Sequence, residues 1–403
     1  MSIQFLLILV PVILGTMGFA LDLGRIYLVR GELNQAASAM ALAAAAQLNG
    51  SIGATTLATA AGDATLNDSL GDGNKYNFGS IVVGQGDALL AANAPSYSFF
   101  ASLADAQTGS AIADGVTAHY VAVNLTAEAP LLFWSLFSFG QSRKAPLAAA
   151  AIAGLSAPLC TACGIEPFAI AAPDLTDSLN FGLTVGNLYT LGFQCAPGAP
   201  AGPLVGTRLP YVVVNGYNTG IAELEDQQLF QTGAQGLLPA PYSSTTLACA
   251  AVNSTQTLWT SATPGPCAAG ANASVTAALC GLSSRLTTTQ PAVCQNNNDL
   301  TNLASAYPAD SDPAYLTDYT TYQGNSRRVM TLPIVDAIST LGVVGFRQFL
   351  LEPNPDGSVN NPADAGGRFI VLYLGVVAPV RQGRIDGPAC ALTSGPGKVV
   401  LHQ

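Results

Sequence analysis

Ile3-Gln4-Phe5-Leu6-Leu7-Ile8-Leu9-Val10-Pro11-Val12-Ile13-Leu14-Gly15-Thr16-Met17-Gly18-Phe19-Ala20-Leu21 runs straight into Asp22-Leu23-Gly24-Arg25-Ile26-Tyr27, and this junction decides the fold. Met1 to Leu21 carries no charge. A helix rises about 1.5 Å per residue, so about 20 residues cross a hydrocarbon core about 30 Å thick. Phe5, Leu6, Leu7, Pro11, Leu14, Phe19 and Leu21 are the expected membrane-anchor residues. Pro11 is no objection, because membrane helices tolerate a proline when neighbouring groups satisfy the freed carbonyl. Past Tyr27 the chain does not break. It continues through Leu28 to Leu42 and then Ala43-Ala44-Ala45-Ala46, a helix-forming composition well beyond membrane length. The expectation is one N-terminal anchor helix, ending between Leu57 and Leu66, with the rest of the chain on one side of the membrane. A cleaved secretory signal is the competing reading, since Gly18-Phe19-Ala20 has small residues at peptidase offsets. Against it stand the length of the apolar run, the lack of a basic leader and the continuing helical composition.

Outward from this segment, composition narrows the class. Charged residues make up 9% of the 403 and hydrophobic residues 49%, with 41 glycines and 25 prolines. No later charge-free apolar run approaches spanning length. Ala145 to Leu159 comes nearest but is alanine-heavy and contains Pro146 and Pro158. This is the composition of an exported, loop-rich β-protein with a hydroxyl and amide surface. A net charge of −10 and only 14 basic residues exclude a phosphate-neutralising footprint, so no nucleic-acid partner is expected. Anionic lipid surfaces are disfavoured for the same reason.

All eight cysteines follow residue 159: Cys160, Cys163, Cys195, Cys249, Cys267, Cys280, Cys294 and Cys390. An even number in an exported chain predicts up to four disulfides, whose connectivity the sequence leaves open. Their placement divides the chain into residues 1–65, the transmembrane helix and its helical continuation; 66–158, a cysteine-free β-rich region near the membrane; and 159–403, a cysteine-containing β-rich domain. The fold class is α+β, mainly β: an anchor helix extended outward, then a disulfide-stapled ectodomain.

Strand candidates are Phe78–Val83, Val116–Thr126, Leu147–Ala153, Ile165–Ala171, Leu183–Gln194, Val205–Val214, Arg327–Val335, Val343–Glu352 and Arg368–Pro379. In the second of these, Val121, Val123 and Leu125 share one face and Tyr120, Ala122 and Asn124 the other. Leu147–Ala153 is placed to pair with it. Ile221–Phe230 reads as a short helix with early acids. Residues 239–315 are rich in Ser, Thr, Ala, Asn and Pro. Two short helices, Asn272–Leu282 and Asp299–Ala306, are expected there, with disulfides otherwise replacing core burial. Asn354-Pro355-Asp356-Gly357 is a turn, since Pro fixes φ and Gly supplies positive φ.

Cys160-Thr161-Ala162-Cys163 is the one compact chemical signature. Gly164 rules out haem attachment, and two histidines and no second Cys-x-x-Cys argue against zinc. A thioredoxin-like pair needs a helix N-terminus, whereas Pro158 precedes and a Gly-x-x-Pro turn follows. A structural disulfide is the preferred reading and a periplasmic thiol–disulfide protein the alternative. His119 reads as a satisfied strand residue and His402 as a solvated tail, which leaves no Ser-His-Asp arrangement. The glycine clusters lack a following helix and Lys-Ser/Thr. Calcium at Asp310-Ser311-Asp312 is a weak option. No enzyme activity, cofactor or metal is expected.

Asp22, Gly24, Arg25 and Tyr27, followed by Gln35, Ala36 and Ala37, stand in an order and spacing that resembles the N-terminal segment of TadG-like (TadE/TadG-type) Flp pilus-assembly proteins over about residues 2–48. A looser likeness runs from Val121 to Ala153 through Leu132-Phe133-Trp134-Ser135-Leu136-Phe137 and Gly140. The resemblance implies a single-pass bacterial cytoplasmic-membrane protein, its bulk periplasmic or extracellular, working in pilus assembly through contacts of the N-terminal helix with other assembly proteins or with itself. Ala36, Ala37, Met40, Ala43 and Ala44 form a small-residue face suited to another subunit's helix or to simple helix propensity. Family members usually open with a short basic, Gly-containing stretch, so the resemblance predicts a leader lying upstream of Met1 or already removed. That leader reconciles topology. Arg25 and Arg30 alone would place the C-terminal part in the cytoplasm, where eight cysteines would be out of place. The Asp-x-Ser-x-Ser metal-site pentad of larger members does not occur here. A pilin-like filament subunit is the remaining structural alternative, although Gln4 stands near where pilins usually place a glutamate and no prepilin cleavage site is visible.

Overall fold

The structure, a computed structural model of the full chain, describes residues 2–66, 95–131, 133–134, 144–156, 161–163, 166, 168–196, 202–213, 227, 230–231, 249–251, 271–294, 300, 303–305, 307–375, 382–384 and 398–402. In chain order its elements are α1 (Ser2–Ala45), α2 (Ala54–Leu66), β1 (Ser96–Phe100), α3 (Leu103–Thr108), β2 (Tyr120–Pro130), β3 (Lys144–Leu155), β4 (Thr161–Cys163), β5 (Phe168–Ala171), β6 (Leu188–Phe193), β7 (Thr207–Val213), β8 (Cys249–Ala251), α4 (Ala271–Leu286), β9 (Val329–Val335), β10 (Val343–Glu352), β11 (Phe369–Tyr373), β12 (Gln382–Arg384) and β13 (Val399–His402). The candidate strand Phe78–Val83 lies outside the described residues, as does most of the Ile221–Phe230 helix. The chain forms two units, one of Met1–Leu48, Ala54–Gly154 and Val400–Gln403, the other of Asn49–Gly53 and Leu155–Val399.

Unit 1 sets a long helix on a four-stranded sheet of order β1-β2-β3-β13. The alternation in β2 decides which face is covered: Val121, Val123, Leu125, Ala127 and Ala129 are buried, while Asn124 and Thr126 are exposed. β2 and β3 pair antiparallel from Tyr120↔Gly154 to Pro130↔Lys144, so residues 131–143 connect them at one end of the hairpin. Helix α1 does not reach Leu57. It stops at Ala45, and α2 starts at Ala54. Gly50 lies at φ 82°, where a side chain is strained, and Asn49 Oδ1 accepts from the Ser51 backbone N–H and hydroxyl, a local bond that competes with the helical ladder. The alanine run carries helix propensity but cannot override that pair. His402 is likewise no solvated tail, since it lies in β13 with its ring edge-on to Tyr120 at 5.3 Å.

Unit 2 is built on a closed six-stranded barrel, β10-β11-β6-β7-β5-β9, in which β6·β7 and β5·β9 are parallel and the other pairs antiparallel. Alternate residues of each strand meet in one core: Phe168 and Ile170, Leu191 and Phe193, Leu209 and Tyr211, Leu332 and Ile334, Phe349 and Leu351, Phe369 and Val371. Val275, Ala278, Leu279, Leu282 and Leu286 of α4 join the same core. The helix expected at Asn272–Leu282 is thus present, runs on to Leu286 and buries core within the Ser/Thr-rich zone 239–315. The reason is local. Val275, Leu279, Leu282 and Leu286 recur at helical spacing within the polar composition. Cys280 on α4 is bonded to Cys294, and Cys195 is also disulfide-bonded. Among the described residues no cysteine is free. A small sheet, β12-β4-β8, places Cys163 in register with Cys249.

Candidate functional site: the two halves of the N-terminal helix

One sequence pattern gives α1 two different surfaces. From Leu33 onward, Leu33, Ala36, Ala37, Met40, Ala41, Ala44 and Ala45 are all at most 1% exposed, a three-and-four spacing that lays one face against α2 and β2. Small side chains let the backbones approach closely. The small-residue face, suited on sequence to another subunit's helix or to simple helix propensity, is closed within this chain, with Ala43 half-buried at its edge.

From Leu9 to Leu28 the helix is largely exposed, Gly18 and Asp22 being the buried exceptions. Leu14 is 57% exposed, Phe19 58% and Leu21 72%, and Pro11 also lies open inside the helix. Phe5, Leu6 and Leu7 belong to the same helix. The Thr16 hydroxyl donates to the Ile13 carbonyl at 2.9 Å, which satisfies it within the helix. Leu9–Ala45 contains a stretch apolar enough to cross a membrane, and little of that stretch is buried in the protein. Exposed apolar surface so continuous needs a covering medium.

Asp22 sits at the boundary and is only 6% exposed. Its carboxylate accepts from the backbone N–H of Phe133 (3.2 and 3.0 Å to the two oxygens) and of Trp134 (2.9 Å). One turn earlier, Gly18 leaves the space that the Phe133 ring occupies, and any Cβ there would collide with it. Gly18 and Asp22, at i and i+4, thus form the seat for the segment that follows β2. Sequence reading singled out both Asp22 and the Phe133–Trp134 run but not their meeting, because a contact across more than a hundred residues leaves no periodic trace. Of the other motif residues, Ala36 and Ala37 lie in the closed face, Gln35 and Tyr27 are exposed and Arg25 is half-buried. Gly24 has open space around it, and nothing in the structure explains a glycine there.

Among the described residues, the chemical candidates of unit 2 lie in strands and in hydrogen-bonded ion pairs. Cys163 lies in a strand between two neighbours rather than at the helix start that would activate a thiol. Cys160, Cys267 and Cys390 lie outside the described residues. Asp310 and Asp312 do not face one cation. Asp310 accepts from the Tyr322 hydroxyl and lies 4.0 Å from Arg328, while Asp312 accepts from the Gln323 N–H. Arg328 also pairs with Glu352 at 3.2 Å, and Arg285 makes a two-pronged pair with Glu166 at 2.9 Å, all four groups buried. Burial outweighs the pull of Arg328 and pushes the Glu352 carboxyl up to about 7. Among the described residues no group of three or more His, Cys, Asp or Glu could hold a metal.

Residues 3–47, nearly the whole of α1, match the family model described as putative Flp pilus-assembly TadE/G-like. No curated protein and no solved structure matches the chain. The match supports involvement in Flp pilus assembly, and it falls on the element that carries the bare apolar half and the Asp22 seat.

Proposed function

We propose that this chain is a membrane-anchored, non-enzymatic component of Flp/Tad-type pilus assembly that acts through protein–protein contacts, with both units on the periplasmic or extracellular side. The observation that carries the reading is the split of α1: a bare apolar half of membrane-spanning composition joined without a break to a half sealed against its own sheet. Such a helix can hold a folded unit at a membrane while leaving its outer turns free for a neighbouring helix. The disulfides at Cys280–Cys294 and Cys195 support placement in an oxidising compartment.

A second reading draws on the same split. A filament subunit with a helical core also needs a protruding apolar half and a packed half. Gene deletion in the source organism, followed by electron microscopy, tests the first reading, and loss of surface pili is expected. Unchanged pili and adhesion would overturn it. Shearing separates the two readings. An assembly component stays with the membrane fraction, whereas a filament subunit leaves with the sheared pili.

A further inference from the structure

We propose that Leu131, Phe133 and Trp134, at the start of the connection between β2 and β3, form a second membrane contact, an aromatic foot in the lipid interface beside α1. The proposal rests on α1 being the membrane span. Its depth follows from the helix. Gly18 lies three residues before Leu21, the last residue of the charge-free run, so the Phe133 ring over Gly18 sits about 4–5 Å inside the end of that run. Whatever covers Leu14, Phe19 and Leu21 also reaches the foot. Trp134, 46% exposed, stands next in the chain at the level of Asp22, where an amphipathic indole is favoured between hydrocarbon and water.

Backbone chemistry supports the same placement. Phe133 and Trp134 are helical and follow a non-helical Leu131, so their N–H groups lie in a first turn without partners in the helix and near hydrocarbon must be satisfied by other protein groups. The N–H groups of Phe133 and Trp134 both donate to Asp22, and the bonds serve both sides, since the same two donors stabilise a carboxylate held out of water. A connection exposed only to water needs neither the aromatic pair nor a buried acid to receive it. The foot would fix the height and rotation of the sheet over the bilayer at a second point, which a single helix cannot do.

The chain has two tryptophans, so Trp259→Phe leaves Trp134 as the sole reporter. That full-length variant is reconstituted into phosphatidylcholine–phosphatidylglycerol vesicles carrying a spin label either near the headgroup or deep in the acyl chain. The expected result is co-flotation with the vesicles and stronger quenching of Trp134 by the shallow label. Adding Gly18→Val, which evicts the Phe133 ring, should abolish that difference while flotation persists. Flotation without quenching by either label overturns the foot, whether acrylamide reaches Trp134 (the segment is in water) or does not (another protein surface covers it). Failure to float would defeat the anchor itself and the foot with it.

Discussion

In unit 1 a helix face of alanines and one methionine closes on the valines of β2, and the one ion pair among its described residues, Lys144–Glu128, lies exposed. In unit 2, Phe168, Tyr211, Phe230 and Phe369 crowd one barrel core, and two arginines are buried with their carboxylates. The first gains close backbone approach but leaves one end of its helix uncovered. The second is closed by barrel hydrogen bonding, bulky side chains and disulfides, and its exposed large apolar residues are scattered along the chain. The contrast separates two tasks. The exposed apolar surface that the proposed membrane and partner contacts need belongs to unit 1, whereas unit 2 holds its bulky side chains in a barrel core.

The comparison breaks most readily at the buried ion pairs. Arg285→Ala leaves the Glu166 carboxylate buried without its partner, and unit 2 should lose about 3–5 kcal/mol, read from denaturant unfolding of the solubilised full chain. Replacing both residues by apolar side chains should recover most of that loss. A smaller effect tests the alanine face. Ala41→Leu overfills a site with no exposed surface and should cost about 1–3 kcal/mol, seen as faster hydrogen exchange in α2 and β2. Leu14→Ala, in the bare half, should leave exchange there unchanged.

Smallest, and opposite in sign between the units, is the response to pH. Burial lowers the pKa of His119 in unit 1 below 6.5, so its contribution is present above pH 6.5 and lost as the pH falls below that toward the lowered value. Glu352 in unit 2 is raised from 4.5 to about 7, so its contribution is full below pH 4.5 and lost as the pH rises through about 7. Hydrogen exchange resolved by peptide should show unit 1 loosening toward acid and unit 2 toward base, with His119→Gln and Glu352→Gln each flattening its own response.

How much of this was legible follows the range of the interactions. The β2 alternation, the full length of β10 and the Asn354–Gly357 turn were readable because period and turn chemistry are local. The long apolar N-terminal helix was readable because length and apolarity are properties of composition. The stop at Ala45 was hidden behind four alanines whose propensity argues for continuation. Helix α4 was legible over Asn272–Leu282, because Val275, Leu279 and Leu282 carry its stripe through the Ser and Thr, and it runs on to Leu286. Barrel closure through the parallel β5·β9 pair, the place of β13 in the sheet of unit 1 and the seat of Phe133 on Gly18 and Asp22 join residues far apart in sequence, and no window of residues reports them.

The central claim is that α1 presents its bare half outward and keeps its alanine face to itself. A photo-crosslinking residue placed at Leu14 and, separately, at Met40 in cells assembling pili tests it most directly. Position 14 should capture lipid or another chain, while position 40 should give only crosslinks within this one. Capture of a second chain from position 40, with none from position 14, would contradict it.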